Sequence, residues 1–277
     1  MIPLFALAHF GHHVLTALIV PLLPYIRGEF GLSYAQTGVL SAAFTIAYGI
    51  AQLPAGWLAD RVGSRVLLTV GISGVAVAGA LVGLTKGYWF LVAVFLLMGV
   101  FGGGYHPSAS ALISSNVPPA RRGKALGLHI VGGSTSHFLA PLIAAGVVSL
   151  LGWRGTFVGL SAPVFLLGLL LWRLLRRHTQ MPPEKPDGVR MKDTTPSDTE
   201  RRRSVPHIVV FLVLSGAMGA VVASTVTFLP LLMVDHMGFK SELASALLAI
   251  IYSAGFFAAP LGGHLSDRFG QTRVMII

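Results

Sequence analysis

The sequence contains no cysteine and few charged residues. Without cysteine the chain can form neither a disulfide nor a thiolate metal site. Only 11% of its 277 residues are charged, whereas soluble domains carry roughly 25%. So few charges cannot cover the surface of a soluble globule, which argues against a soluble enzyme. With 54% apolar residues, the chain is also too hydrophobic to be disordered.

Eight apolar stretches are long enough to cross a lipid bilayer, which requires about 20 mostly apolar residues. They span residues 3–24, 38–58, 66–85, 88–113, 125–150, 155–173, 207–233 and 243–262, and a ninth begins at Val274. All ten acidic residues lie outside the middles of these stretches, where a charge would cost at least a few kcal/mol. The sequence therefore predicts an all-α integral membrane protein with about 8 transmembrane helices and a stub of a ninth.

Basic residues are distributed unevenly among the connections between these stretches. Of the 20 Lys and Arg, 16 fall in alternate connections and 4 fall in the others. Cytoplasmic loops carry such an excess, so we expect a multi-pass protein with a cytoplasmic N-terminus, in a bacterial inner membrane. This placement explains the net charge of +10 without a nucleic-acid partner. The first stretch has no Lys or Arg before Arg27, which indicates a retained helix rather than a secretory signal.

Residues 173–206 differ in composition from the rest of the chain. They contain five prolines, nine Lys or Arg and five Asp or Glu, and such a segment cannot bury a core. We therefore expect three parts: an N-terminal six-helix transmembrane bundle (1–172), a basic cytoplasmic linker (173–206) and a partial C-terminal bundle (207–277). The triplet Arg201, Arg202 and Arg203 either contacts anionic lipid or only sets the topology.

An internal repeat relates the two halves. The segment from Gly56 to Gly63 recurs from Gly263 to Gly270, at an offset of 207 residues. Gly31 and Gly238 share that offset. Duplicated helical halves are typical of secondary transporters, in which the two halves build one central site.

These repeated segments resemble the loop signature of the major facilitator superfamily, G-x-L-x-D-R-x-G with a nearby Arg. The first copy contains Gly56, Asp60, Arg61, Gly63 and Arg65, and the second contains Gly263, Asp267, Arg268 and Gly270. The resemblance implies a six-helix bundle plus, in this chain, a partial second bundle. It also implies that the signature is a conformational latch between the halves; a turn that carries topology-setting charges is the alternative. Gly63 is expected to permit a tight turn with positive φ.

The resemblance further implies where the latch residues lie. Asp267 should face the cytoplasmic start of the fifth helix, near Arg121, Arg122 and Gly123, and Asp60 should face a late helix of the second half. Because the family fold has twelve helices, we expect this chain to be part of a longer protein, a monomer when complete. A native short form is the alternative.

Six histidines are the polar groups embedded in the predicted helices: His9, His12, His13, His106, His129 and His137. The first three are spaced i, i+3 and i+4 and therefore share a helix face. Because histidine titrates near neutral pH, these side chains are candidates for binding substrate or relaying protons. Neutral histidines hydrogen-bonded between helices are the alternative. The sequence assigns no cofactor, and a metal site built from histidine alone is disfavoured because no embedded carboxylate joins these six residues.

The fourth and fifth predicted helices carry packing patterns. Gly99 and Gly103 form a G-x-x-x-G face, and the run from Phe101 to Pro107 resembles the fosmidomycin-resistance-type exporters of the superfamily. The fifth helix resembles an exporter pattern, G-x8-G-x3-G-P-x2-G-G, with small residues at its glycine positions. The matching residues are Gly127, Ser136, Ala140, Pro141, Ala144 and Ala145. The pattern favours proton-driven export, and a generic packed helix is the alternative.

The sequence therefore predicts a secondary active transporter that moves a small organic solute by alternating access, as a proton-coupled exporter. Its expected partners are the small-molecule substrate, the lipid bilayer and protons. A transporter-like membrane sensor or partner-binding protein is the alternative, although no partner-binding domain is evident. An integral-membrane enzyme is disfavoured because no catalytic constellation is present.

Overall fold

The computed structural model describes residues 2–176 and 198–270, and every regular element in these ranges is a helix. Their order is α1 (Ile2–Thr16), α2 (Ile19–Phe30), α3 (Tyr34–Val62), α4 (Ser64–Gly83), α5 (Tyr88–Gly103), α6 (Tyr105–Asn116), α7 (Pro119–Leu175), α8 (Asp198–Asp235) and α9 (Ser241–Phe269). Within the described ranges, six helical segments are long and apolar enough to cross a membrane, and Ser241–Phe256 is a shorter apolar segment.

Two of the membrane-length segments consist of paired helices. The pair α1 and α2 forms the segment Pro3–Phe30, and α5 with α6 forms Tyr88–Asn116. The first pair is interrupted after Thr16, whose hydroxyl bonds the carbonyl of His13 at 3.2 Å. The second pair is interrupted at Gly104. Each interruption lies close in sequence to candidate histidines.

Helix α7 reverses its direction at Gly152, which adopts φ +66° and ψ 174° inside the helix. Before this break, residues 129–137 follow α1 in the same direction, because His129 contacts Phe5 and His137 contacts His13. After it, Arg154 contacts the end of α4 and Trp172 contacts its start. Arg154 also bonds Glu29 at the end of α2, so the ends of α2 and α4 lie together and these helices run in the same direction. The helix α7 therefore consists of two membrane-length arms that run in opposite directions.

The helices define two ends of the bundle. At one end, which we call the Arg27 end, Arg154 donates to the carbonyl of Thr85 at 2.8 Å and to the carboxylate of Glu29 at 2.5 Å. At the other, the Asp60 end, the guanidinium of Arg65 lies 3.7 Å from the ring centroid of Trp172 and donates to its carbonyl. These contacts fasten neighbouring helices at both ends.

Close helix packing follows the small residues in the sequence. A Cβ added at Gly99 would lie 2.5 Å from the carbonyl oxygen of Phe44, and one at Gly103 would lie 2.6 Å from the Cβ of Ala51. Only glycine permits α5 to approach α3 so closely. The predicted G-x-x-x-G packing face is confirmed.

The outer surface of the bundle is apolar. Leu53, Trp89 and Leu150 are 83%, 76% and 82% exposed. Exposed apolar side chains over whole helices are incompatible with water but suit lipid, which solvates them as well as the protein interior does. The fold therefore presents a lipid-facing surface around a packed core.

The internal repeat appears in the backbone as well as in the sequence. Gly63 and Gly270, which are 207 residues apart, both adopt φ +88°, and Gly31 and Gly238 adopt φ +61° and +71°. A residue with a side chain rarely adopts such angles. The predicted positive φ at Gly63 is confirmed, and its repeat partner has the same conformation.

Several helix boundaries differ from those predicted. The second predicted helix (38–58) is longer, since α3 spans Tyr34–Val62, so Asp60 and Arg61 lie in its last turn rather than in a loop. A capping box in which Ser33 and Gln36 bond each other's backbone N–H explains its early start. Helix α8 begins at Asp198, inside the predicted linker 173–206. The structure does not describe residues 177–197 of that linker.

Candidate transport pathway

All six candidate histidines lie in one continuous cluster, although they come from three helices. His9 stacks on His129 with ring centroids 4.0 Å apart, and His13 lies 4.8 Å from His137. His106 of α6 lies 5.1 Å from His9 and 5.3 Å from His13. His12 lies 4.7 Å from His13. We call these six side chains the histidine cluster.

Hydrogen bonds orient three rings of the cluster. The Nδ1 of His9 bonds the carbonyl of His129 at 2.6 Å, and the Nδ1 of His129 bonds the carbonyl of Phe5 at 3.1 Å. The Nδ1 of His13 lies 3.4 Å from the hydroxyl of Thr16, whose proton is donated to the carbonyl of His13. A carbonyl can only accept. As neutral rings, these three histidines therefore carry the proton on Nδ1.

Two tyrosines join the cluster, one from α3 and one from α6. The hydroxyl of Tyr48 lies 3.2 Å from the Nε2 of His12. The buried ring of Tyr105 stacks on His12 with centroids 4.2 Å apart.

A cavity of about 340 Å³ lies between the N-terminal helices and the two C-terminal helices. His137 connects it to the histidine cluster, and Phe44 and Tyr252 contribute aromatic walls. Thr16 and Thr227 add hydroxyl groups. A mostly apolar wall with a few convergent polar groups is typical of a site for a small organic molecule.

Towards the Arg27 end of this cavity, several contacts join the two halves. Arg27 pairs with the carboxylate of Asp235 at 2.6 Å, and the hydroxyl of Tyr34 donates to the same carboxylate at 2.8 Å. His236 stacks against Tyr34, and Ser41 bonds Thr227 at 3.1 Å. Nothing in the sequence predicted the pairing of Arg27 with Asp235, which lie 208 residues apart.

The first copy of the repeated signature lies at the Asp60 end. Asp60 is exposed, and no ion pair involving it occurs within the described part of the chain. Arg61 lies over the ring of Trp57, 3.8 Å from its centroid. Glycine allows helices to approach closely, but in the described part of the chain Gly56 has open space beside it.

The second copy is described mainly by its backbone. Gly263, Asp267 and Arg268 lie in α9, and Arg268 is 5.4 Å from the ring centroid of Phe269. The side chain of Asp267 lies outside the described residues, and so does its predicted approach to Arg121, Arg122 and Gly123. In the described structure, Arg122 donates to the carbonyl of Val117 at 3.0 Å.

The residues of the fifth-helix pattern differ in their surroundings. Ala140 and Ala144 are fully buried, Pro141 is buried and Ala145 is half-buried. The hydroxyl of Ser136 donates to the carbonyl of Gly133 at 2.6 Å. Gly127 has open space beside it.

Two other glycines of this helix make the close approach to α1. A Cβ at Gly132 would overlap the backbone of Ala6, and one at Gly133 would lie 2.5 Å from the ring of His9. Sequence reasoning missed both, although the adjacent glycine pair itself was the available signal.

The family comparison agrees with the fold and the repeated signature. The model of the Major Facilitator Superfamily matches residues 5–277, so the chain belongs to this superfamily and is a multi-pass membrane protein. Among curated proteins, it is 29% identical over 271 residues to the multidrug resistance protein MdtG of Proteus mirabilis (strain HI4320) and 27% identical over 269 residues to that of Salmonella arizonae. In each case the match covers 94% of this chain and 65% of the relative's length.

Solved structures show the same fold. A bacterial homologue of the human lysosomal transporter Spinster, in an inward-facing and unoccupied conformation, matches with a TM-score of 0.82 and 22% identity, covering 97% of this chain and 62% of that one. A D-xylose-proton symporter matches with a TM-score of 0.64 and 18% identity, covering 96% and 68%.

Proposed function

We propose that the protein is a secondary active transporter that exports a small organic solute by alternating access. The observation that carries this proposal is the cavity between the two halves, which is lined by aromatic, hydroxyl and histidine side chains, together with the ion pair that joins the halves at the Arg27 end. Contact between the halves at one end of a central cavity is expected in one state of an alternating-access cycle, in which one half rocks against the other around a fixed site.

The cavity and the relatives both favour an organic substrate and export. The walls provided by Phe44 and Tyr252 suit an amphipathic molecule, and no acidic side chain lines the cavity within the described residues. The relatives from Proteus and Salmonella are named multidrug resistance proteins. Proton coupling is proposed from the fifth-helix exporter pattern.

The same proposal includes the topology. Counting the two arms of α7 separately makes seven segments of membrane length, and we propose α9, whose apolar part Ser241–Phe256 is shorter, as the eighth. The linker 173–206 divides them into a six-helix bundle (1–172) and a partial second bundle (207–277). The excess of Lys and Arg near the Asp60 end supports placing that end and the N-terminus in the cytoplasm of a bacterial inner membrane. The Arg27 end then faces outwards.

Roles for individual residues complete the proposal. The repeated signature, which contains Asp60 and Asp267, acts as the latch between the halves at the Asp60 end. The histidine cluster contributes polar contacts along the pathway. The proposed transport cycle uses no cofactor, and the complete protein works as a monomer.

The test is an efflux assay in cells that express the protein and lack their own exporters. A panel of fluorescent amphipathic organic compounds is loaded, and their loss from the cells is followed. We expect faster loss of at least one compound than in cells with an empty vector, and we expect a protonophore to abolish the difference. Equal rates across the panel, with the protein inserted in the membrane, would favour the membrane-sensor alternative.

A further inference from the structure

Three ring nitrogens of the histidine cluster are buried and lack a hydrogen-bond partner among the described residues. With the proton on Nδ1, the neutral rings of His9, His13 and His129 each keep a lone pair on Nε2. The Nε2 of His9 and the Nδ1 of His12 are buried and have no hydrogen-bond partner in the described part of the chain. A buried polar atom without a partner costs about 1–3 kcal/mol, so such a group calls for a ligand.

The ring nitrogens converge in two overlapping sets of three. The potential ligand atoms of His9, His106 and His129 all lie within 4.8 Å of one another, and so do those of His12, His13 and His106. We propose that the histidine cluster binds one divalent transition-metal ion through three imidazole nitrogens, with His106 common to both sets.

The separations between the ring nitrogens are larger than those in a formed metal site. Zinc binds imidazole nitrogen at about 2.0–2.1 Å in a tetrahedral arrangement, which places ligand nitrogens about 3.4 Å apart. Binding an ion requires the nitrogens, now up to 4.8 Å apart, to approach one another, and it requires the stacked rings of His9 and His129 to tilt so that both lone pairs meet the ion. The Nδ1–H bonds from His9 and His129 to backbone carbonyls are the outer contacts that commonly orient metal-binding histidines.

The ligand type selects the class of metal. Imidazole suits Zn²⁺, Cu²⁺ and Ni²⁺, whereas Mg²⁺ and Ca²⁺ prefer oxygen ligands, and the two sets contain only histidine. A neutral imidazole has one free lone pair, so His106 can serve one set at a time and the chain binds one ion. Three histidines leave a fourth position open to water or to a solute. His13 lies 4.8 Å from His137, which lines the cavity.

The test uses the purified protein without a polyhistidine tag, titrated with Zn²⁺ in a calorimeter. We expect one ion per chain, and we expect His106→Ala to weaken the affinity by more than about 100-fold, since even outer contacts of metal sites change affinity 10–100-fold. His129→Ala and His13→Ala each leave one set complete, so each should lose less than His106→Ala. His236→Ala, outside the cluster, is the matched control and should bind as the unmodified protein does.

A second variant covers the case in which His106→Ala does not fold. The double variant His13→Ala/His129→Ala breaks both sets while keeping His106, and it should lose binding to the same extent. The visible absorption of bound Co²⁺ then reports whether the ion is four-coordinate in the unmodified protein. Unchanged Zn²⁺ affinity in the folded variants, or an equal loss in His236→Ala, would overturn the proposal. Because the probe is the metal alone, the result does not depend on the transport activity proposed above.

Discussion

Replacing Gly132 by valine should prevent the N-terminal bundle from packing stably. In the structure a Cβ at this position would overlap the backbone of Ala6, and backbone cannot move aside as a side-chain tip can. Overpacking typically costs 1–3 kcal/mol, and we expect at least about 3 kcal/mol for Val at Gly132 because α1 as a whole would have to shift. The measurement is the temperature at which the detergent-solubilised protein loses its monodisperse peak.

The matched control is Gly146→Ala in the same helix. Gly146 has open space beside it, and alanine favours a helix over glycine by about 1 kcal/mol. That variant should be as stable as the unmodified protein or slightly more stable. If Gly132→Val melted at the same temperature as Gly146→Ala, the close packing of α1 against α7 would be wrong.

Asp60→Asn should reduce the initial rate of solute export by about tenfold or more while leaving membrane insertion intact. Asparagine keeps the shape of aspartate but removes the charge that the proposed latch requires. Because Asp60 is exposed in this conformation, the change costs the present state little and acts on the alternative state. Coupling energies of 1–3 kcal/mol correspond to changes of 5–150-fold. Export is measured by the efflux assay, with protein levels compared by immunoblot.

The control for Asp60 is a carboxylate of the predicted linker. Asp187→Asn removes one negative charge from the same predicted side of the membrane but lies outside the repeated signature. It should export as the unmodified protein does. Unchanged export by Asp60→Asn would contradict the latch interpretation. The signature would then be interpreted as a turn that carries topology-setting charges.

The sequence predicted local features well where a residue has one dominant physical role. The positive φ at Gly63 follows from glycine's freedom in a tight turn, and its recurrence at Gly270 follows from the repeat. The close approach at Gly99 follows from small-residue spacing. Each of these properties depends on the small size or the conformational freedom of the glycine itself.

Features that join distant segments could not be predicted. Charge patterns predicted that Arg27 and Asp235 lie near membrane surfaces, but their pairing depends on how α2 and α8 meet. The spacing of His9, His12 and His13 predicted a shared face, whereas their convergence with His106 and His129 depends on the packing of α1 against α6 and α7. The exporter pattern contains Gly127 but not Gly132, so it does not predict which glycine of α7 packs against α1.

The most direct test of alternating access measures both ends of the protein at once. The chain has no native cysteine, so pairs of introduced cysteines can carry spin labels without background. Leu84 and Met237, which are 65% and 58% exposed, mark the Arg27 end, and Val62 and Phe269, which are 44% and 50% exposed, mark the Asp60 end. The distance between the two spin labels of each pair is measured by pulsed electron paramagnetic resonance, both in the protein with Asp235 and in the Asp235→Asn variant.

Asp235→Asn removes the ion pair with Arg27, and an exposed pair contributes up to about 1 kcal/mol, which corresponds to a shift of roughly fivefold in the ratio of the two states. If the halves rock around the central cavity, the variant lengthens the distance between Leu84 and Met237 and shortens the distance between Val62 and Phe269. Unchanged distances, or distances that lengthen at both ends, would contradict alternating access between these halves.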